Sequence, residues 1–237
     1  MPNPIIVALD VPSADRALAL VSQLTSLVGA FKIGSELFTS AGPDIVRQIR
    51  RTGGSVFLDL KFHDIPNTVA KAVAAATRLN VQMLTVHTSG GTAMMEAAVA
   101  AAHETSRQLA FDPPLILGVT VLTSMAEHDL TEIGIQAATP EAQVERLAKL
   151  AVDSGLRGLV CSPLELARLR KLLRPSIQLV TPGVRAGADD RSDQKRTLSA
   201  KEALAAGANW LVIGRPIYAA PDPKKAAEAI LKSLAPA

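Results

Sequence analysis

The chain has 237 residues, 48% of them hydrophobic but only 3% aromatic, and its 25 basic and 22 acidic side chains leave a formal charge of +3. So small an excess, without a Lys/Arg run and with few rings for base stacking, gives no footing for a nucleic-acid partner. A single cysteine, Cys161, excludes an intramolecular disulfide; with no CxxC or Cys/His cluster, no basic-then-apolar leader and no apolar run near the roughly 18 residues of a membrane span, the expectation is a cytoplasmic protein with no zinc and no membrane partner.

Short β-branched runs alternate with longer Ala/Leu-rich stretches along the chain. A first strand is expected at residues 5–10, after which Ser13 caps a helix with Leu18, Val21, Leu24 and Val28 on one side. A second strand at 31–35 precedes a helix that follows Gly42 and Pro43, and a third at 56–62 precedes one beginning near Asn67. Strand four at 83–87 leads to a helix at 92–109, and strand five at 115–122 to a helix at 140–154. Strands at 158–162, 177–181 and 210–214 are followed by helices at 164–173, 197–206 and 223–234.

This makes eight β–α units with no linker, fixed-period repeat or low-complexity break between them. Eight units favour an α/β fold of one type, a single (β/α)8 TIM barrel in one catalytic domain over residues 1–237, rather than an open doubly wound sheet. A dinucleotide-binding sheet would want a Gly-rich turn after the first strand, whereas Val11-Pro12-Ser13 has no glycine. In a barrel, chemistry gathers at the C-terminal ends of the strands.

The third strand carries the most information. With side chains alternating along a strand, Asp59 and Lys61 share one face and Leu58, Leu60 and Phe62 the other. The apolar set should face the helices and the charged pair the barrel axis, with Asp64 in the following loop. Asp10 ends strand one and Lys32 lies in strand two, so four ionisable groups fall on three neighbouring strands near one mouth. A structural ion pair is the plain alternative, but burying charge seldom stabilises more than apolar packing would, and a functional cluster explains the set better.

A second group closes strands seven and eight: Pro182, Gly183 and Arg185, then Gly214 and Arg215. Loops after these strands often hold phosphate in barrels; glycine admits backbone N–H groups and arginine grips oxygens in a fork. The polar run 186–195, including Gln194, is equally an ordinary solvated loop or a lid over substrate. Thr123 and Ser124 end strand five, where their hydroxyls either read a base edge or cap a turn. Cys161 and the Met94-Met95 pair read as packing, His87 as a residue behind the site, and His63 as non-catalytic; His103 and His128 read as helix or loop surface.

Asp59-x-Lys61-x-x-Asp64, the HDIPNT string at 63–68, the opening with Asp10, the Lys32 segment, the residues around Thr123, and the endings at Arg185 and Arg215 together resemble bacterial-type orotidine 5′-phosphate decarboxylases over nearly the whole chain. The DxKxxD motif is shared with sugar-phosphate relatives; its combination with the other strings in this order is specific. The resemblance implies a cofactor-free, metal-free lyase that converts orotidine 5′-monophosphate to UMP in pyrimidine biosynthesis. It implies that Lys61 donates a proton to the carbon losing carbon dioxide and that Asp59 sits beside the substrate carboxylate, within a charge network of Lys32, Asp59, Lys61 and Asp64. Asp10 and Lys32 would hold ribose hydroxyls, Thr123 the nucleotide, Pro182 the pocket wall, and Arg185, Gln194, Gly214 and Arg215 the phosphate. Asp64, Ile65 and Thr68 would serve the partner subunit's site in a homodimer.

Three rivals remain at this point. Magnesium-dependent hexulose-phosphate synthases and keto-gulonate-phosphate decarboxylases use the same DxKxxD motif, but the HDIPNT string and the long 185–194 segment argue against them. A Schiff-base aldolase would need Lys61 uncharged, which flanking carboxylates oppose. A non-catalytic nucleotide-binding barrel has no use for alternating charges at its mouth.

Overall fold

The computed structural model describes residues 3–136, 139–185 and 198–234. Their elements run β1 (Ile5–Ala8), α1 (Ala14–Leu24), β2 (Ala30–Gly34), α2 (Ser35–Ala41), α3 (Asp44–Arg51), β3 (Val56–Phe62), α4 (Pro66–Thr77), β4 (Met83–His87), α5 (Thr92–Leu109), β5 (Leu115–Val119), α6 (Glu127–Glu132) and α7 (Pro140–Asp153). There follow β6 (Gly158–Val160), α8 (Leu166–Leu172), β7 (Gln178–Thr181), β8 (Val184–Arg185), β9 (Leu198–Ser199), α9 (Ala200–Ala205), β10 (Trp210–Ile213), α10 (Arg215–Tyr218) and α11 (Pro223–Leu234). Eight strands close on themselves in the order β1-β10-β7-β6-β5-β4-β3-β2, every pair parallel, and β8 pairs with β9 outside the barrel.

Parallel strands covered on both faces must be apolar on both, and β1 shows how this is met. Ile5 and Val7 join the layer between strands and helices, while Ile6 and Ala8 turn into the barrel. Inside, Ile6, Ala30, Phe57, Met83, Leu117, Val180 and Val212 fill the lumen, so the barrel is a packed core and not a pore. Each fully buried Ile, Leu or Val contributes roughly 1.5–3 kcal/mol relative to exposure, which makes this plug a floor strong enough to carry polar groups above it.

The helices hold their places through matched faces and caps. Ser13 caps α1, its hydroxyl accepting from the Arg16 amide at 3.4 Å, and Ala17, Leu20, Val21 and Leu24 are buried beneath it. Met94 and Met95 of α5 are fully buried, and Cys161 is packed in the core with its thiol pushed up to about 12 by burial. His103 and His128 lie on exposed helix surface.

Several boundaries differ from those expected of the sequence. Strand one stops at Ala8 and strand five at Val119, because Asp10 and the Val121–Leu122 pair leave the sheet to line the mouth. A helix, α2, follows strand two without a break, α6 and α10 are short turns of helix, and α9 starts at Ala200 behind a Ser199 cap. Gln194 and the polar run 186–195 lie outside the described residues.

Candidate active site

The strand ends surround a cavity of about 330 Å³ whose floor is Ala8, Phe57, Val160 and Val212, the top of the apolar plug. Asp10, Lys32, Asp59 and Lys61 line it together with Thr123, Pro182, Gly183, Gly214 and Arg215; because β10 pairs with β1, Gly214 stands beside Asp10, with Tyr218 next to it. Ser124 is not among the lining residues. The backbone of Arg185 lies in β8, beyond Val184 of the cavity wall.

The charged side is a chain of alternating signs. Lys32 Nζ stands 3.0 Å from Asp10 Oδ1 and 3.9 Å from Asp59 Oδ2. Lys61 Nζ is 2.9 Å from each oxygen of Asp59. Asp59 and Lys32 are each 13% exposed, Lys61 36% and Asp10 49%, so the centre of the chain is desolvated while its ends meet solvent. An unpaired carboxylate so placed would cost several kcal/mol; two ammonium groups offset that cost at Asp59. Gly34 leaves the array room: a Cβ there would stand 3.2 Å from Lys32 Nζ, close enough to shift the ammonium slightly, and 3.6 Å from Asp10 Oδ1, an ordinary contact.

Lys61 reaches this position by an unexpected route. Simple alternation would keep β3 extended through Phe62, and Leu58, Leu60 and Phe62 do pack toward the helices. Yet Lys61 has φ of +51°, in the left-handed region, and the β3–β4 register shifts between Leu58 and Phe62. A non-glycine residue held there costs about 1–3 kcal/mol and persists where surrounding contacts over-determine it. The contacts come from Thr85 of β4, a fully buried residue. Its hydroxyl accepts from the Lys61 amide at 2.8 Å and donates to Asp59 Oδ1 at 3.0 Å. Neither Thr85 nor Gly34 stands out in the sequence: each is an ordinary residue for a strand or its end.

Asp64, Ile65 and Thr68 do not reach this cavity. Asp64 caps its own loop, accepting from the Ile65 amide at 2.6 Å, and the Ile65 side chain is 66% exposed at the start of α4. Among the described residues no group of three or more His, Cys, Asp and Glu side chains stands together as a metal site. Nor is any described helix long and apolar enough to cross a membrane.

Residues 3–230 match the model of the family described as Orotidine 5′-phosphate decarboxylase / HUMPS family. The chain is 52% identical over 230 residues to an orotidine 5′-phosphate decarboxylase of Opitutus terrae, covering 97% of each chain. It is 52% identical over 227 residues to the enzyme of that name from Moorella thermoacetica, covering 95% of this chain and 90% of the relative. Among solved structures, the orotidine 5′-phosphate decarboxylase of Lactobacillus acidophilus superposes with a TM-score of 0.86 at 36% identity, covering 98% of this chain and 99% of that one. A conserved protein from Geobacillus kaustophilus superposes with a TM-score of 0.85 at 32% identity, covering 98% and 100%.

His87 stands behind the charged array, its ring centroid 5.4 Å from that of His63. Burial holds it below the ordinary imidazole range, His63 and Lys61 add to the effect, and Asp59 opposes it. Between that lowered value and the unfolded value of about 6.5, the unfolded chain binds more protons at this residue, so acid favours unfolding. The unfolding midpoint should therefore fall as pH drops below about 6.5, and His87→Gln should flatten that part of the curve. A wild-type pH dependence unchanged in His87→Gln would show that this imidazole is not the titrating group.

Proposed function

The chain belongs to the orotidine 5′-phosphate decarboxylase / HUMPS family, and from that membership we infer its reaction: removal of carbon dioxide from orotidine 5′-monophosphate to leave UMP, a step of pyrimidine biosynthesis. It is a carboxy-lyase on a TIM barrel, and relatives about half identical along its whole length carry that name rather than a sugar-phosphate one. The observation that carries the reading is the joint lining of one cavity by the Asp10–Lys32–Asp59–Lys61 array and by Gly214 and Arg215.

The chemistry follows from charge. When the bond between the ring and the carboxylate breaks, its electron pair stays on the ring carbon, and no cofactor is called on to accept it. Catalysis then requires stabilisation of charge that exists only in the transition state. The Lys61 ammonium faces that carbon, stabilises the developing carbanion and transfers one N–H proton to it; the amine regains its proton from water. Asp59 sits beside the departing carboxylate and disfavours a second negative charge there, a contribution made in the ground state. Asp10 and Lys32 hold ribose hydroxyls, Thr123 holds the nucleotide, and Pro182 packs on it. Arg185, Gln194, Gly214 and Arg215 take the phosphate, whose binding orients the reacting ring from a distance.

The whole chain of 237 residues acts as one catalytic domain in the cytoplasm. Two copies pair so that Asp64, Ile65 and Thr68 of each complete the other's site. The supporting observations are that these residues lie outside their own cavity and that Ile65 presents a large apolar side chain to solvent.

With EDTA present throughout, the purified protein should consume orotidine 5′-monophosphate, followed by its absorbance, with UMP appearing in equal amount. No consumption by folded protein until magnesium is supplied would favour a sugar-phosphate relative, and UMP binding without turnover a binding role. Arg215→Ala should raise KM by about 10- to 100-fold, the scale of a lost charge-assisted contact, with a smaller change in kcat. Sedimentation should give the mass of a dimer, and Ile65→Asp should shift it toward monomer; a wild-type monomer at full activity would remove the shared-site reading.

A further inference from the structure

We propose that Thr85 is a positioning residue for the reaction, its hydroxyl fixing both the left-handed backbone of Lys61 and the Asp59 carboxylate that grips the Lys61 ammonium. The inference rests on the roles given above to Lys61 and Asp59 and adds the element that keeps them in register.

A hydroxyl has one proton to donate and lone pairs to accept. Thr85 Oγ1 accepts the Lys61 amide at 2.8 Å, and that leaves its single proton for Asp59 Oδ1 at 3.0 Å. Asp59 receives both contacts of Lys61 Nζ, so it meets Thr85 as an acceptor and the direction of the hydroxyl is fixed. One buried atom thus ties the main chain of the lysine to the carboxylate that holds the same lysine's side chain.

The place of this clamp also separates it from ordinary packing. Thr85 is fully buried, and a valine would fill the same space with no polar atom to satisfy. Both of its side-chain bonds end on the charged pair, at the point where the β3–β4 register shifts and Lys61 leaves the extended region. Without the hydroxyl the Lys61 amide loses its acceptor, and the residue is free to relax toward the extended backbone its neighbours adopt. The ammonium would then swing from its place over Asp59. The phosphate and ribose contacts, made by other strands, would remain.

Thr85→Val should lower kcat by about 10- to 100-fold, the scale of a displacement near one ångström at a reacting group. UMP affinity should be unchanged, and Thr85→Ser should restore most of the loss. Exchange of the Lys61 amide with solvent, followed by NMR, should be slow in the wild type and Thr85→Ser and fast in Thr85→Val. Wild-type kcat in Thr85→Val, or no recovery with serine, would overturn the proposal. So would equal Lys61 protection in all three proteins. Should the valine variant fail to fold, Thr85→Cys against Thr85→Ser makes the same comparison, because the thiol is a weak donor and acceptor of nearly serine's size; equal kcat in that pair would overturn the proposal too. If the wild type does not consume orotidine 5′-monophosphate, the assigned reaction fails, while the amide exchange still decides whether Thr85 holds Lys61.

Discussion

One carboxylate held between two ammonium groups organises this molecule. Asp59 lies 2.9 Å from Lys61 Nζ through both oxygens and 3.9 Å from Lys32 Nζ, and Lys32 in turn holds Asp10. Removing any one member leaves its neighbours with one counter-charge fewer, so the four are set as a unit. The barrel exists beneath them as a rigid apolar plug of Ile6, Phe57, Leu117, Val180 and Val212, which shuts out water from below. A site of this kind does not improve stability over apolar packing; it stores preorganised charge at the place where a reaction develops it.

The same unit explains the local backbone. An extended Lys61 would be the relaxed choice for a strand, yet it adopts φ of +51° at a slipped register. Thr85 on the neighbouring strand receives its amide, and the strained lysine places its ammonium against Asp59. Strand three therefore supplies both members of the central pair, and strand four holds them. Strands seven and eight of the barrel deliver Pro182, Gly214 and Arg215 to the same cavity, so a nucleotide-sized ligand would be gripped by several strand ends of one rigid cylinder.

The sequence made much of this legible because barrel physics is periodic. Buried parallel strands write themselves as β-branched runs, and polar residues at their ends stand out against that background; Asp10, Lys32, Asp59, Lys61, Gly214 and Arg215 were all readable in this way, and all line the cavity. Thr85 and Gly34 were not, since threonine is a common strand residue and a glycine near a strand's end suggests only a turn. The left-handed turn at Lys61 leaves no trace in an apolar–charged alternation that looks regular. Short helices such as α2 and α10 escaped because they abut a strand or span a single turn, lengths at which periodicity carries no signal. Asp64, Ile65 and Thr68 do not line the cavity, and no pattern within one chain assigns them to a site; that assignment came from resemblance alone.

Lys61→Ala decides whether the Lys61 ammonium gripped by Asp59 supplies charge and proton to the reacting carbon. Turnover of orotidine 5′-monophosphate and binding of UMP should be measured side by side on the same folded protein. Turnover should be lost by at least roughly a thousand-fold, the combined scale of an electrostatic and a proton-transfer contribution, while UMP still binds. Turnover near the wild-type rate in a correctly folded Lys61→Ala protein would contradict that role.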